Sequence, residues 1–265
     1  DRTQLDRATG RTLAELLALQ PGLQTSGNGG FGKTASVFMR GLEARHTLLL
    51  VDGVRVGSAT VGSPSLDNLP LESIERIEIV RGPMSSLYGA GAMGGVIQVF
   101  TRRATTGSTV NAKAGAGSHG WGQLGAGGTW GDGRFDAAAQ LQRTVYSGRS
   151  ASNPNVPFGS YNADDDGFRQ NGGSLRLGWN LLPDWRLEAL VLDARGTTKL
   201  DDGPGADAQA RLTNRVTSLA ASGRISGSWR TRFSVAESTD GYDTLSSASV
   251  FAALGLIESK IRQIG

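Results

Sequence analysis

Three groups of residues have types and spacing that could support chemistry. The first, Gly89, Gly91 and Gly94, forms a G-x-G-x-x-G pattern. This pattern binds dinucleotides when it follows a strand, opens a helix and is followed by an acidic residue about 20 positions later. Here the β-rich segment 96–100 follows it, and the next acidic residue is Asp132. The glycines therefore indicate tight turning and packing rather than a cofactor site.

The second group comprises the only two histidines, His46 and His119. They lie in different halves of the chain, without neighbouring metal-ligating residues, so the sequence supports neither a zinc site nor a catalytic triad. We expect His46, which precedes an apolar run, to be structural. No serine lies in a nucleophile-elbow motif. The chain is therefore not expected to be an enzyme.

The third group is the oxygen-rich segment 162–167, with the sequence Asn-Ala-Asp-Asp-Asp-Gly. It resembles the start of a calcium loop, but the twelfth position of an EF-hand would be Gly173 instead of Glu. Calcium could still bind if a second loop, such as Asp201-Asp202, supplies further oxygens. The alternative is a solvated acidic loop. No cofactor is otherwise required.

The sequence pattern of the elements that must position these residues changes near Arg103. Before it, Thr12-x-x-Glu15 is a capping box that predicts a short helix, which Pro21-Gly22 ends. Four apolar runs with strand character follow, at residues 36–39, 47–51, 74–80 and 95–101. Residues 1–103 are therefore predicted to form a domain with α/β structure.

After Arg103, apolar and polar residues alternate in segments of about ten residues, which is typical of antiparallel strands in a transmembrane β-barrel. Tight turns at 131–133, 182–184 and 226–228 alternate with long polar stretches at 147–168, 196–214 and 237–258. We expect the turns and the long loops to lie on opposite rims. The tryptophans near the tight turns suggest an aromatic girdle: Trp130, Trp179, Trp185 and Trp229.

The composition of the chain further limits the class of protein to which it can belong. The chain has 265 residues and a net charge of +3, and its basic residues are scattered, which argues against a nucleic-acid partner. No window approaches the length of a transmembrane helix, so a membrane-spanning protein of this sequence must use strands. A soluble all-β protein is the alternative. The sequence contains about eight strand segments, too few for a barrel that encloses a domain, so we expect an incomplete barrel of about 22 strands.

Residues 1–103 resemble the plug of TonB-dependent outer-membrane receptors. The resemblance lies in segments 16–22, 38–41, 50–55, 74–78, 81–83, 87–89 and 94–97. Within this family the chain is most similar to the members that take up vitamin B12 (cobalamin), through segments 28–32, 44–46 and 165–168. The resemblance implies a plug domain at 1–103 and the first part of the barrel at 104–265.

The resemblance also implies site residues. Two apical plug loops would contact the substrate, and Ser36 keeps the family's residue type whereas Thr34 and Glu43 depart from it; the implied contacts are Lys33, Thr34, Ser36, Glu43, Val61, Gly62 and Ser63. The implied calcium ligands are Asn162, Asp164, Asp166 and Asp201. Four charged residues are candidates for contacts between plug and barrel wall, with salt bridges inside the plug as the alternative: Arg40, Glu75, Glu78 and Arg81.

The implied function is TonB-dependent uptake of a corrinoid across the outer membrane of a Gram-negative bacterium. TonB would bind a TonB box upstream of Asp1, and the barrel would contact outer-membrane lipid. A ferric-siderophore or haem receptor of the same family is the first alternative. A surface receptor without transport is the second.

Overall fold

The computed structural model describes residues 1–58, 66–150, 153–155, 161–201, 207–246 and 255–265. Its N-terminal part contains three short helices and two small sheets. The helices are α1 (Arg2–Arg7), α2 (Leu13–Ala18) and α3 (Ser85–Tyr88). The strands are β1 (Leu23–Gly27), β2 (Ala35–Met39), β3 (Thr47–Val51), β4 (Val54–Val56), β5 (Ile74–Arg81) and β6 (Gly95–Thr101).

The predicted capping box forms as expected: the Thr12 side chain accepts a hydrogen bond from the Glu15 amide at the start of α2. Leu13 and Leu17 on this helix are buried in the core between the two sheets and the helix. The larger N-terminal sheet has the order β4-β3-β6-β5, and β3 is buried at all five positions. The α/β structure predicted for this part of the chain is therefore confirmed.

The glycine pattern has the structural role that the sequence indicates. It leads directly into β6, and the Gly94 amide donates to the His46 carbonyl at 2.8 Å. A Cβ on Gly94 would lie 3.1 Å from that same carbonyl oxygen, so a larger residue there would require the neighbouring backbone to move by a few tenths of an ångström. The pattern opens no helix that could bind a dinucleotide phosphate.

The second half forms one antiparallel sheet of eight strands in sequence order, with β7 and β14 at its edges. The strands are β7 (Gly107–Ala116), β8 (Gly122–Gly131), β9 (Phe135–Tyr146), β10 (Phe168–Leu182), β11 (Trp185–Asp201), β12 (Asp207–Ser226), β13 (Trp229–Ser246) and β14 (Gly255–Ile264). We call this sheet the wall.

The two faces of the wall differ as the alternation predicts. One face carries exposed apolar side chains, among them Val110, Leu141 and Leu219. The other buries polar side chains, among them Gln140, Gln142, Gln170, Arg176 and Asn214. Apolar residues facing out and polar residues facing the lumen are the pattern of an outer-membrane barrel.

The wall curves around the N-terminal part. Leu190, Leu192 and Val216 of the wall belong to the same buried apolar cluster as the N-terminal core. Direct hydrogen bonds join the two parts: the side-chain amide of Asn68 donates to the Ala194 carbonyl at 3.0 Å, and the Ser238 hydroxyl donates to the Arg55 carbonyl at 2.7 Å. The arrangement is that of a plug within a partial barrel, as the sequence predicts.

The connections alternate between the two rims of the wall. Residues 132–134, 183–184 and 227–228 form the inner rim, and residues 117–121, 147–150 and 161–167 lie at the outer rim. Two predicted long loops are wrong, because β11 and β12 extend through most of 196–214, and β13 and β14 through much of 237–258. A transmembrane strand needs only about 9–11 residues, so strands of this length continue beyond the bilayer, where polar residues are solvated.

The four tryptophans lie beside the inner rim, as expected for an interfacial girdle. Trp179 stacks on Phe135 across β10 and β9, with ring centroids 5.5 Å apart. Among the residues that the structure describes, no helix is both long and apolar enough to cross a membrane.

Candidate functional site

The plug loop 28–34 reaches the outer rim. It joins the antiparallel strands β1 and β2, and the Asn28 amide donates to the Thr34 carbonyl at 3.1 Å. Gly32 has a φ of +71°, and a Cβ there would lie 2.1 Å from the Phe168 ring. Only glycine therefore allows this loop to pack against the first residue of β10.

An aromatic cluster fixes this loop against the wall. The Phe31 ring lies 5.3 Å from that of Tyr146, and 6.5 Å from those of both Trp121 and Phe168, measured between centroids. Aromatic pairs at these distances contribute beyond their buried area. The sequence does not predict this cluster, since its members are far apart in the chain. The aromatic residue inside a glycine-rich loop was the one available signal.

Lys33 is buried at the same rim, with only 4% of its surface exposed. Its Nζ lies 3.6 Å from Oδ1 of Asp166, which belongs to the outer connection of β9 and β10. Burial lowers the pKa of Lys33, and the charge of Asp166 opposes that shift. The ammonium group of Lys33 faces the acidic segment, and the expected contact between Lys33 and substrate stays a prediction.

The other predicted substrate residues are dispersed. Thr34 is exposed at the end of the loop, and Ser36 is half-buried on β2. Glu43 lies beyond the opposite end of β2, where it pairs with Arg45 at 2.6 Å on the surface. Strand β2 thus separates Glu43 from Lys33. Val61, Gly62 and Ser63 lie outside the described residues.

The predicted calcium ligands come from neighbouring outer segments. Asp164 pairs with Lys199 at 3.7 Å, and Asp201 accepts a hydrogen bond from the Ser150 hydroxyl at 3.1 Å. In the described ranges, no three Asp, Glu, His or Cys side chains are grouped closely enough to hold a metal ion. Calcium binding by Asn162, Asp164, Asp166 and Asp201 stays a prediction.

A cavity of about 810 Å³ lies between the plug loop and the outer rim. Its lining includes Gly29, Gly30, Phe31, Lys33, Ser118, His119, Trp121, Tyr146 and Arg149. A larger hollow of about 1270 Å³ is lined in part by the exposed apolar side chains Leu124, Leu141 and Leu175. Because those side chains are on the lipid-facing side of the wall, we take the smaller, outer cavity as the candidate binding site.

Glu72 of the plug is the centre of an ionic cluster and is only 3% exposed. Its carboxylate lies 3.0 Å from Lys113 Nζ of the wall. It is also within 3.2 Å of Arg2 and 3.6 Å of Arg102. The Glu72 amide donates to Gln142 of the wall at 2.9 Å. We call these residues the Glu72 cluster; it joins the N-terminal helix, the plug and the wall.

A second ionic cluster lies near the inner rim. Asp52 of the plug pairs with Arg176 of β10 at 3.1 Å, and Arg176 pairs with Glu188 of β11 at 2.9 Å. Arg103 lies 3.6 Å from Asp52. Asp52 occupies the β3–β4 turn with a φ of +47°, so the sequence indicated its turn role but not its ion pair.

The charged residues predicted to bridge plug and wall need correction. Arg81 donates to the Pro21 carbonyl at 2.8 Å, and Glu78 pairs with Arg76 at 2.7 Å. These contacts are internal to the plug, which was the alternative for these residues. Ion pairs between plug and wall are instead made by Asp6, Lys33, Asp52, Glu72 and Arg103. Their wall partners are distant along the chain, so no local pattern identifies them.

Comparison with known proteins agrees with this geometry. Residues 1–96 match the family model described as the TonB-dependent Receptor Plug Domain. The chain is 33% identical over 242 residues to the vitamin B12 transporter BtuB of Photobacterium profundum, a match that covers 90% of this chain and 39% of that protein. It is 42% identical over 100 residues to BtuB of Vibrio vulnificus, covering 38% of this chain and 16% of that protein.

Solved structures share the fold at lower identity. The siderophore receptor PirA of Acinetobacter baumannii aligns with a TM-score of 0.76 and 16% identity, over 99% of this chain and 43% of that one. The ferric enterobactin receptor PfeA of Pseudomonas aeruginosa aligns with a TM-score of 0.74 and 17% identity, over 97% and 43%. This chain thus spans less than half the length of these relatives. The plug-domain match and the identity to the two BtuB proteins show that the chain belongs to the TonB-dependent receptor family.

Proposed function

We propose that the full-length protein takes up a corrinoid of the vitamin B12 type across the outer membrane, driven by TonB. The observation that carries this proposal is the 33% identity to a vitamin B12 transporter over 90% of this chain. That match includes both the plug and the wall. The siderophore receptors with similar structures are only 16–17% identical, so they support the fold and not the ligand.

The chemistry of the outer cavity favours a large ligand with neutral polar groups. The aromatic rings of Phe31, Trp121 and Tyr146 offer flat apolar surface, and the backbone of Gly29 and Gly30 offers hydrogen-bonding groups. Of the cations that line this cavity, Lys33 is buried and paired with Asp166, so it does not provide an open site for an anionic ligand, whereas Arg149 is exposed. A corrinoid has a broad apolar ring with amide side chains, and such a ligand fits the aromatic and backbone groups that line this cavity.

We assign substrate contacts to the exposed end of the plug loop. Thr34, which follows the cavity-lining Lys33 in the chain, and Ser36 on β2 are proposed as hydroxyl donors or acceptors, and residues 61–63 as a second contact segment. Glu43 keeps the exposed position beyond β2 and would disfavour an anionic ligand near it.

We propose that TonB acts on a segment upstream of Asp1. Helix α1 is tied to the plug through Arg2, whose guanidinium donates to the carbonyls of Leu71 and Ile74 at 2.9 and 2.8 Å. The same group pairs with Glu72. A pull on the N-terminus would therefore be transmitted first to the Glu72 cluster, which joins the plug to the wall.

Calorimetric titration of the purified full-length protein tests the ligand. Cyanocobalamin, haem and a ferric siderophore are titrated separately, and we expect binding of the corrinoid alone. Phe31→Ala should weaken that binding at least tenfold, since aromatic anchors dominate such sites. Phe135→Ala, which removes a ring of the inner-rim girdle, is the matched control and should leave the affinity unchanged.

Each alternative predicts a different titration. Tight binding of haem or the siderophore, with none of the corrinoid, would reject the ligand and keep the transporter class. Corrinoid binding without TonB-dependent uptake into cells would favour a surface receptor without transport. Uptake that is lost when TonB is deleted is the result expected for the proposed function.

A further inference from the structure

A buried lysine lies where the plug meets the outer segments of the wall. The side chains of Lys33 and Asp166 are only 3% and 2% exposed, and their charged atoms lie 3.6 Å apart. Lys33 belongs to the plug loop, and Asp166 to the connection between β9 and β10. This ion pair therefore holds two separate parts of the fold together at the outer rim.

The surroundings of Lys33 are acidic beyond this one pair. Asp164 and Asp201 also attract its ammonium group, although Asp166 contributes most. Asp201 ends β11, and the Lys199 amide two residues earlier donates to the Gly167 carbonyl at 2.9 Å. The acidic segment and the end of β11 are thus adjacent, and the ammonium group of Lys33 lies within their shared negative field.

This arrangement does not fit a calcium ion. Calcium requires six to eight oxygens at about 2.3–2.6 Å, with carboxylates directed at one point. The described carboxylates here form no such group. A divalent ion beside the Lys33 ammonium would also meet a like charge in a buried setting, where repulsion is poorly screened. The residues therefore favour an ammonium group over a divalent metal.

We propose that the Lys33 ammonium is a built-in cation that orders the outer acidic segment and joins it to the plug without calcium. In a protein that binds its ligand at this rim, the ordered segment would be ready to bind whatever the local calcium concentration. The proposal concerns the plug–wall junction alone and does not depend on the identity of the ligand.

Thermal unfolding of the full-length protein in detergent, with calcium chloride or with EDTA, tests the proposal. The wild-type midpoint should be the same in both. Lys33→Met keeps the length of the side chain and removes its charge, so its midpoint in EDTA should fall by several degrees. Calcium should recover part of that loss, because the acidic segment then lacks its cation. Lys199→Met, a lysine 40% exposed beside Asp164, is the control and should behave as the wild type.

Terbium luminescence gives a second measurement, since Trp121 and Tyr146 line the same cavity and can sensitise a bound ion. We expect a signal from Lys33→Met and none from the wild type. A wild-type protein that binds terbium and is stabilised by calcium would overturn the proposal. So would a Lys33→Met variant that is as stable as the wild type in EDTA, or one that calcium does not affect.

A double-mutant cycle covers the case in which Lys33→Met fails to fold. Asp166→Asn alone leaves the ammonium without its main partner, whereas Lys33→Met combined with Asp166→Asn removes both charges. The double variant should be more stable than the sum of the single losses predicts, or should fold where Lys33→Met does not. Additive losses would show that the two groups are not coupled, and would reject the ion pair as the junction.

Discussion

Replacing Glu72 by Gln tests whether the Glu72 cluster holds the plug in the wall. The substitution keeps the shape of the side chain and removes the charge that faces Arg2, Arg102 and Lys113. These three cations have side-chain exposures of 14%, 16% and 22%, so water replaces the lost carboxylate poorly. The variant therefore leaves several half-buried charges without their shared partner.

The expected cost follows from the burial of the cluster. Removing one member of a buried ion pair costs about 3–5 kcal/mol, because the remaining charge stays desolvated. Asp6 still pairs with Arg2 and Lys113, and a glutamine can accept one of the lost hydrogen bonds. We therefore expect the lower end of the range, about 3 kcal/mol.

Hydrogen exchange of the full-length protein in detergent measures this cost within the plug. Exchange of plug amides reports local opening of the plug even when the barrel stays folded. Amides of β5 and of helix α1 should exchange roughly 150-fold faster in Glu72→Gln than in the wild type. Glu78→Gln is the matched control: Glu78 lies on β5, is 53% exposed, and pairs with a nearby arginine. Its effect should be at most about 0.5 kcal/mol.

Equal acceleration by Glu72→Gln and Glu78→Gln would refute this reasoning, because burial would then not decide the cost. Unchanged exchange in α1 would show that Arg2 does not connect the N-terminus to the cluster. In that case a pull by TonB on the N-terminus would have to reach the plug through a residue other than Arg2.

Three further predictions follow from single positions. Burial raises the pKa of the Asp67 carboxyl group to about 7. Between about pH 4 and pH 7 the native state therefore keeps a proton that the unfolded state has lost, and the free energy of unfolding falls as the pH rises through this range. Asp67→Asn should therefore unfold at a higher temperature than the wild type at pH 8 and at nearly the same temperature at about pH 4; a constant difference would refute this. Gly32→Ala should lower the unfolding temperature more than Gly53→Ala, since both have positive φ but a Cβ on Gly53 meets nothing within 4 Å. Phe31→Ala should weaken corrinoid binding in titration while Phe135→Ala does not, and equal affinities would remove the aromatic cluster from the site.

Local patterns in the sequence predicted most of the elements. The capping box at Thr12 predicted α2, and two apolar runs predicted β3 and β6 with the bounds observed. Alternation of apolar and polar residues predicted which face of the wall meets lipid. These features depend on residues within one turn or one strand of each other, and such neighbours are visible in a linear sequence.

Strand lengths at the outer rim were less predictable. Polar residues at 196–201 and 207–214 suggested a loop, but they continue β11 and β12. In water, both faces of a strand can be polar, so alternation no longer marks the strand once it leaves the bilayer. Pairing with the neighbouring strand, which requires the tertiary fold, decided these residues.

The junction between plug and wall was decided by the tertiary structure alone. Three charged residues of the plug each pair with a residue that is distant in sequence: Glu72, Asp52 and Lys33. Charged side chains usually lie on the protein surface, so the sequence alone does not indicate that these three are buried. The sequence favoured other charged residues, such as Glu78 and Arg81, which bond within the plug. Burial of a charge is permitted only where a partner reaches it, and the curvature of the wall determines which partners do.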